Sequence, residues 1–77
     1  SEEIDLLNAN PRRSIIINRM KLNLTLNDSG ELFDLNQDPY EENNLYYLTG
    51  YQEIILEMKN KLIQWQIDNK DYFLFEQ

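Results

Sequence analysis

The chain has 77 residues, no Cys, no His and a formal net charge of −7. So short a chain makes one small domain, which buries about 60–65% of the surface its unfolded form exposes, and its acidic balance opposes nucleic acid and anionic membrane surfaces as partners. The missing Cys excludes disulfides, thiol catalysis and thiolate metal sites but leaves the compartment open, whether cytoplasmic, periplasmic or secreted.

Hydrophobic residues make up 42% of the chain, with five Tyr, three Phe and one Trp, a content that argues for a folded core rather than disorder. No apolar run approaches the ~18 residues of a membrane-spanning helix, and no segment reads as a signal peptide. A start at Ser1 rather than Met points to a piece of a longer protein.

In chain order, residues 1–13 form a weakly patterned lead-in, where Ile4, Leu6 and Leu7 suit a short strand or turn and Asn10-Pro11 ends whatever they begin. Residues 14–35 carry the strand signals. Ser14 to Asn18 is β-branched, and Met20 to Leu26 alternates apolar and polar residues. A two-residue turn at Asn18-Arg19 pairs Ile17 with Met20 and Ile15 with Leu22, collecting Ile15, Ile17, Met20, Leu22, Leu24 and Leu26 on one face.

The next turn, Asn27-Asp28-Ser29-Gly30, is decided by parity. An even loop sets Leu26 opposite Glu31 and brings Phe33 and Leu35 to the core face, whereas an odd loop brings Asp34 there. An unpaired buried Asp costs several kcal/mol and a buried Phe gains about 1.5–3, so the even register is expected, with Ile16 and Leu32 on the opposite face.

Residues 36–50 form a long loop, ordered by the Asp38-Pro39 turn and by Leu45 as an apolar anchor. Thr49 and Gln52 fit a capping box for a helix over residues 51–70, whose stripe Tyr51, Ile54, Ile55, Met58, Leu62 and Trp65 packs on the sheet. Leu56, Ile63 and Ile67 fall off that stripe. The tail at residues 71–77 is apolar, with Tyr72, Phe73, Leu74 and Phe75.

The fold class that follows is α+β: a small antiparallel sheet of three to four strands with one long C-terminal helix packed on one face.

Glu31, Leu32, Phe33, Asp34, Leu35, Asp38, Pro39, Glu41, Asn44 and Leu45 together spell E-L-F-D-L-x-x-D-P-x-E-x-x-N-L. This resembles the strand-and-loop signature near the C-terminus of the sulfatase family. Asn18 to Leu22 is similar to that family's upstream hairpin, and Tyr51 to Trp65 to its closing helix, so the likeness spans Arg13 to Asn69. Met20 stands where Tyr is usual, and Tyr40 where Gly is frequent.

The family's chemistry rests on a formylglycine made from the Cys or Ser of C/S-x-P-x-R, with a calcium site, and neither the motif nor any His is present. The resemblance therefore implies a non-catalytic subdomain with no catalytic, cofactor or metal residues of its own. Its partner would be the parent's catalytic domain, which holds the calcium and the formylglycine. Asp38, Pro39, Glu41, Asn44 and Leu45 form the structural motif, and Ile16, Leu32, Tyr72, Phe73 and Phe75 the candidate interface, with self-association as the rival use of that surface. A related phosphatase or phosphotransferase subdomain and a free-standing acidic interaction module remain the alternatives.

Other patterns carry less. Asp34, Asn36 and Asp38 open a calcium loop as D-x-N-x-D, but Pro39 stands where Gly is needed and Leu45 where a bidentate Glu is needed. Glu41 and Glu42 beside Asp38 read as a solvated acidic cluster rather than an acid–base pair. Asn23-Leu24-Thr25 and Asn27-Asp28-Ser29 are glycosylation sequons, best read as chance in an Asn-rich chain. Tyr46 and Tyr47 remain open as a stacking platform.

Overall fold

The computed structural model describes residues 2–7 through their backbone, and 12–25 and 30–70 in full. Four strands, β1 (Glu2–Leu7), β2 (Arg12–Ile17), β3 (Met20–Thr25) and β4 (Gly30–Asp34), form one antiparallel sheet in the order β1-β2-β3-β4. A 3-10 turn at Thr49–Tyr51 leads into the helix α1 (Gln52–Asp68). The α+β architecture expected from the residue pattern is the one observed, and the lead-in contributes a full strand, with Ile4 in register with Ile15.

The β2–β3 hairpin has the anticipated register, Ile17 opposite Met20 and Ile15 opposite Leu22. Its two turn residues, Asn18 and Arg19, both lie in the left-handed region, at φ 50° and 67°. A two-residue turn that follows the right-handed twist of the strands demands this geometry at both positions. Asn tolerates it readily, whereas Arg incurs a steric cost that glycine would not.

Across β3 and β4 the register is odd, with Leu22 opposite Leu32 and Lys21 opposite Phe33. This corrects the even register expected from sequence. Leu32 faces the helix and is completely buried, so it belongs to the core and not to a surface on the opposite face. An even register would be favoured only by an Asp34 that was buried and unpaired. Instead Asp34 ends its strand half-buried, and its Oδ1 accepts the backbone N–H groups of Asn36 and Gln37. With the carboxylate satisfied by the turn it starts, the penalty against the odd register disappears.

The helix-side face reads as rows across β2, β3 and β4: Ile17, Met20, Asp34; Ile15, Leu22, Leu32; Arg13, Leu24, Gly30. Ile55, Met58 and Leu62 of α1 close over Ile15, Leu22, Leu24 and Leu32, while Ile17, Met20, Leu45, Tyr46, Tyr51 and Ile54 pack around them. The helix stripe departs from expectation at its C-terminal end. Gln66 is fully buried and continues the spacing of Ile55, Met58 and Leu62, while Trp65 is only half-buried. Leu56 and Ile67 are exposed, as their positions off the stripe imply.

No side chain caps the helix start. The Gln52 amide turns back to donate to the carbonyls of Tyr46 and Leu48, in place of the expected reciprocal pair with Thr49.

The other face of the sheet is mixed. Ile16, Lys21 and Phe33 form one row and Ser14, Asn23 and Glu31 the next. Phe33, Ser14 and Asn23 are all buried there, and Ile16 is half-buried. Ser14 Oγ donates to Asn23 Oδ1, Asn23 Nδ2 to Glu31 Oε1, and Arg12 Nη2 to the same Glu31 oxygen. A chain of side-chain bonds thus crosses three strands and satisfies polar groups that burial would otherwise penalise. Tyr72, Phe73 and Phe75, named above as interface candidates, lie outside the described residues.

Urea denaturation tests the odd register. Truncating Leu32 to Ala should cost about 2–5 kcal/mol, as for a filled core site, while Leu56→Ala on the exposed helix flank should stay within about 0.5 kcal/mol. Equal effects would contradict the pairing of Leu22 with Leu32.

Candidate functional site

The signature residues act together to fold the loop after β4 back along the outer edge of that strand. The path starts at Asp34, whose side chain holds the first turn, and whose carbonyl accepts the Asp38 N–H at 2.7 Å. On the inner side, the Leu35 N–H reaches the Arg19 carbonyl at 2.8 Å, and Arg19 Nε and Nη2 lean on Asn36 Oδ1 and the Leu35 carbonyl. The β2–β3 turn and the start of the loop therefore brace each other.

Asp38 is the knot of the loop. Its Oδ1 accepts the Glu42 N–H at 2.9 Å and its Oδ2 the Asn43 N–H at 2.8 Å, so both carboxylate oxygens order backbone. Pro39, with φ preset by its ring, suits the position directly after this acceptor. The chain reverses at Glu41, which is left-handed at φ 57°, and Glu41 pairs with Lys21 of β3 at 3.1 Å. The pair is partly exposed and contributes at most about 0.2–1 kcal/mol, but it fixes where the reversal sits against the sheet.

Asn44 then takes the place of a fifth strand. Its Oδ1 accepts the Leu32 N–H at 3.0 Å and the Tyr46 N–H at 2.9 Å, and its Nδ2 donates to the Gly30 carbonyl at 3.2 Å. The Leu45 N–H donates to the Leu32 carbonyl at 2.8 Å. The Leu32 N–H and carbonyl and the carbonyls of Gly30 and Asp34 are thereby bonded by the loop. Leu45 itself packs on the core, as an apolar anchor should.

Gly30 has a packing reason. A Cβ built there would overlap the Tyr46 ring, which lies over the end of β4. Tyr46 also meets Tyr47 edge to face at 5.0 Å between centroids, and Lys59 Nζ stands 5.9 Å from the Tyr46 ring centroid. Of the two tyrosines left open above, Tyr46 is thus committed to covering Gly30, and Tyr47 is 69% exposed.

These contacts decide the other candidates. The carboxylates of D-x-N-x-D face backbone N–H groups, and among the described residues no cluster of three or more His, Cys, Asp or Glu is arranged to hold a metal ion. Glu41 and Glu42 are exposed, and Glu41 is paired with Lys21. Asn23 is 2% exposed with its amide committed to Ser14 and Glu31, which removes it as a glycan acceptor.

A groove of about 200 Å³ opens between the β2–β3 turn and α1, lined by Ile17, Met20, Ile54 and Met58 with Glu57 and Lys61. It is smaller than the roughly 300–1,000 Å³ of small-molecule sites. Sequence reasoning missed the Asn44 bracket in its detail and the Tyr46–Gly30 contact altogether. The paired Gly and Tyr are separated by sixteen positions, and no local pattern links them.

No protein-family model and no curated protein matches the chain.

Two substitutions test the loop's construction by thermal or urea unfolding. Asp38→Ala should cost about 1–3 kcal/mol, because two backbone donors lose a charged acceptor. Gly30→Ala should cost about 1–3 kcal/mol through overpacking, and adding Tyr46→Ala should make that Gly30 substitution nearly silent.

Proposed function

We propose that the chain is the C-terminal subdomain of a sulfatase-like enzyme, a non-catalytic unit that stabilises the domain in which sulfate esters are hydrolysed. The observation that carries this reading is the use to which the signature is put. Asp38 and Asn44 hold backbone, Glu41 pairs with Lys21 and Leu45 packs on the core, so these residues serve the loop's shape. A pattern built from such residues suits a unit whose role is structural.

The order of hairpin, β4, bracketing loop and closing helix supports the same reading, as it is the order the resemblance implies. Calcium and formylglycine would belong to the catalytic domain. Ile16, on the sheet face away from α1, is the candidate contact with that domain for which the register still speaks. A relative acting on phosphate esters would use the same subdomain for the same purpose.

A second reading, a free-standing acidic interaction module, draws on the exposed Tyr47, Leu48, Leu56 and Ile67, an apolar set that a protein partner would cover.

Sulfate-ester hydrolysis by the full-length gene product, by a form lacking these 77 residues and by the chain alone separates the readings. Activity confined to the full-length product is the expected result. No hydrolysis by any form, across several aryl and sugar sulfates, would overturn the sulfatase reading.

A further inference from the structure

We propose that the loop at residues 39–48 is a strap that withholds the outer edge of β4 from a second copy of the chain. A strand at the end of a sheet presents unpaired N–H and C=O groups, a template on which another strand adds. On β4, the Leu32 N–H and the Gly30 carbonyl are taken by the side chain of Asn44, the Leu32 carbonyl by the Leu45 N–H and the Asp34 carbonyl by the Asp38 N–H. A single side chain thus stands in for two ladder bonds, one at the strand's centre and one at its start.

The strap is latched on either side of Asn44. Asp38 ties the N–H groups of Glu42 and Asn43, and Lys21 holds Glu41 at the left-handed reversal. Beyond Asn44, the Gln52 amide grips the carbonyls of Tyr46 and Leu48, tying the strap to the first turn of α1.

The occupant it excludes is a second β4. Antiparallel self-pairing centred on Leu32 sets Glu31 opposite Phe33 and Gly30 opposite Asp34, so no carboxylate meets a carboxylate across the pair. The net charge of −7 on each copy opposes the encounter at long range, a repulsion screened within about 8 Å at physiological salt. The geometric seal is therefore what keeps the edge from being used. A sealed edge does not depend on the enzymatic reading and would outlast its failure.

The test is Asn44→Ala in the 77-residue chain, followed by light scattering over a concentration series in physiological salt and by hydrogen exchange at the Leu32 amide, with circular dichroism to check the fold. The unsubstituted chain is expected to remain a monomer with that amide protected. The variant is expected to double in mass as concentration rises, with the Leu32 amide exposed in the dilute monomer and protected again in the dimer.

A folded variant that stays monomeric at every concentration overturns the proposal. So does an unsubstituted chain that dimerises to the same extent. Should Asn44→Ala fail to fold, Asn44→Ser is read by the same criteria, since its hydroxyl can still accept the Tyr46 N–H two residues on but is too short to bracket the Leu32 N–H and the Gly30 carbonyl.

Discussion

The pairing of Leu22 with Leu32 is the constraint on which the rest of this small domain depends. It places Leu32 beneath the helix, aims the backbone groups of Gly30, Leu32 and Asp34 outward, and thereby determines what the following loop must satisfy. A slip of one residue would exchange Leu32 for Phe33 in the core and turn those groups inward. Asn44 would then have nothing to bracket. Core packing and the polar seal of the edge are consequences of one register.

The two faces of the sheet solve the burial problem differently. The helix side is apolar at its centre, where Ile15, Leu22, Leu32, Met58 and Leu62 pack together, with Arg13 and Asp34 towards the strand ends. The other side buries Ser14 and Asn23 and compensates with the bonded run from Arg12 through Glu31. A side chain removed from that run would strand its neighbours, so this face specifies its partners more narrowly than an apolar one does.

Much of the fold was legible in the sequence where local chemistry is decisive. The Asn18-Arg19 turn, the hairpin it closes, the helix and its Ile55, Met58, Leu62 stripe all follow from alternation and periodicity over a few residues. What was illegible depended on contacts across the chain. The β3–β4 register turned on whether Asp34 would be satisfied, and its donors are supplied by the turn that follows it. Gln66, four residues after Leu62, takes the buried position expected for Trp65. In the loop, Asp38, Asn44 and Leu45 could be selected by pattern, but the bracket on β4 becomes visible only when the loop is seen lying along that edge.

Every strand in the sheet pairs with its immediate neighbour in the chain, and the helix comes last. No pairing waits for a distant segment to return, so the entropy lost in closing loops is small at each step. Strand pairings of this kind are local, while the packing of α1 on β2 and β3 is long-range, which places the domain among mixed folds of intermediate folding rate. The hairpins need no later segment for their pairing, and the seventeen residues of α1 cover the apolar side of the sheet.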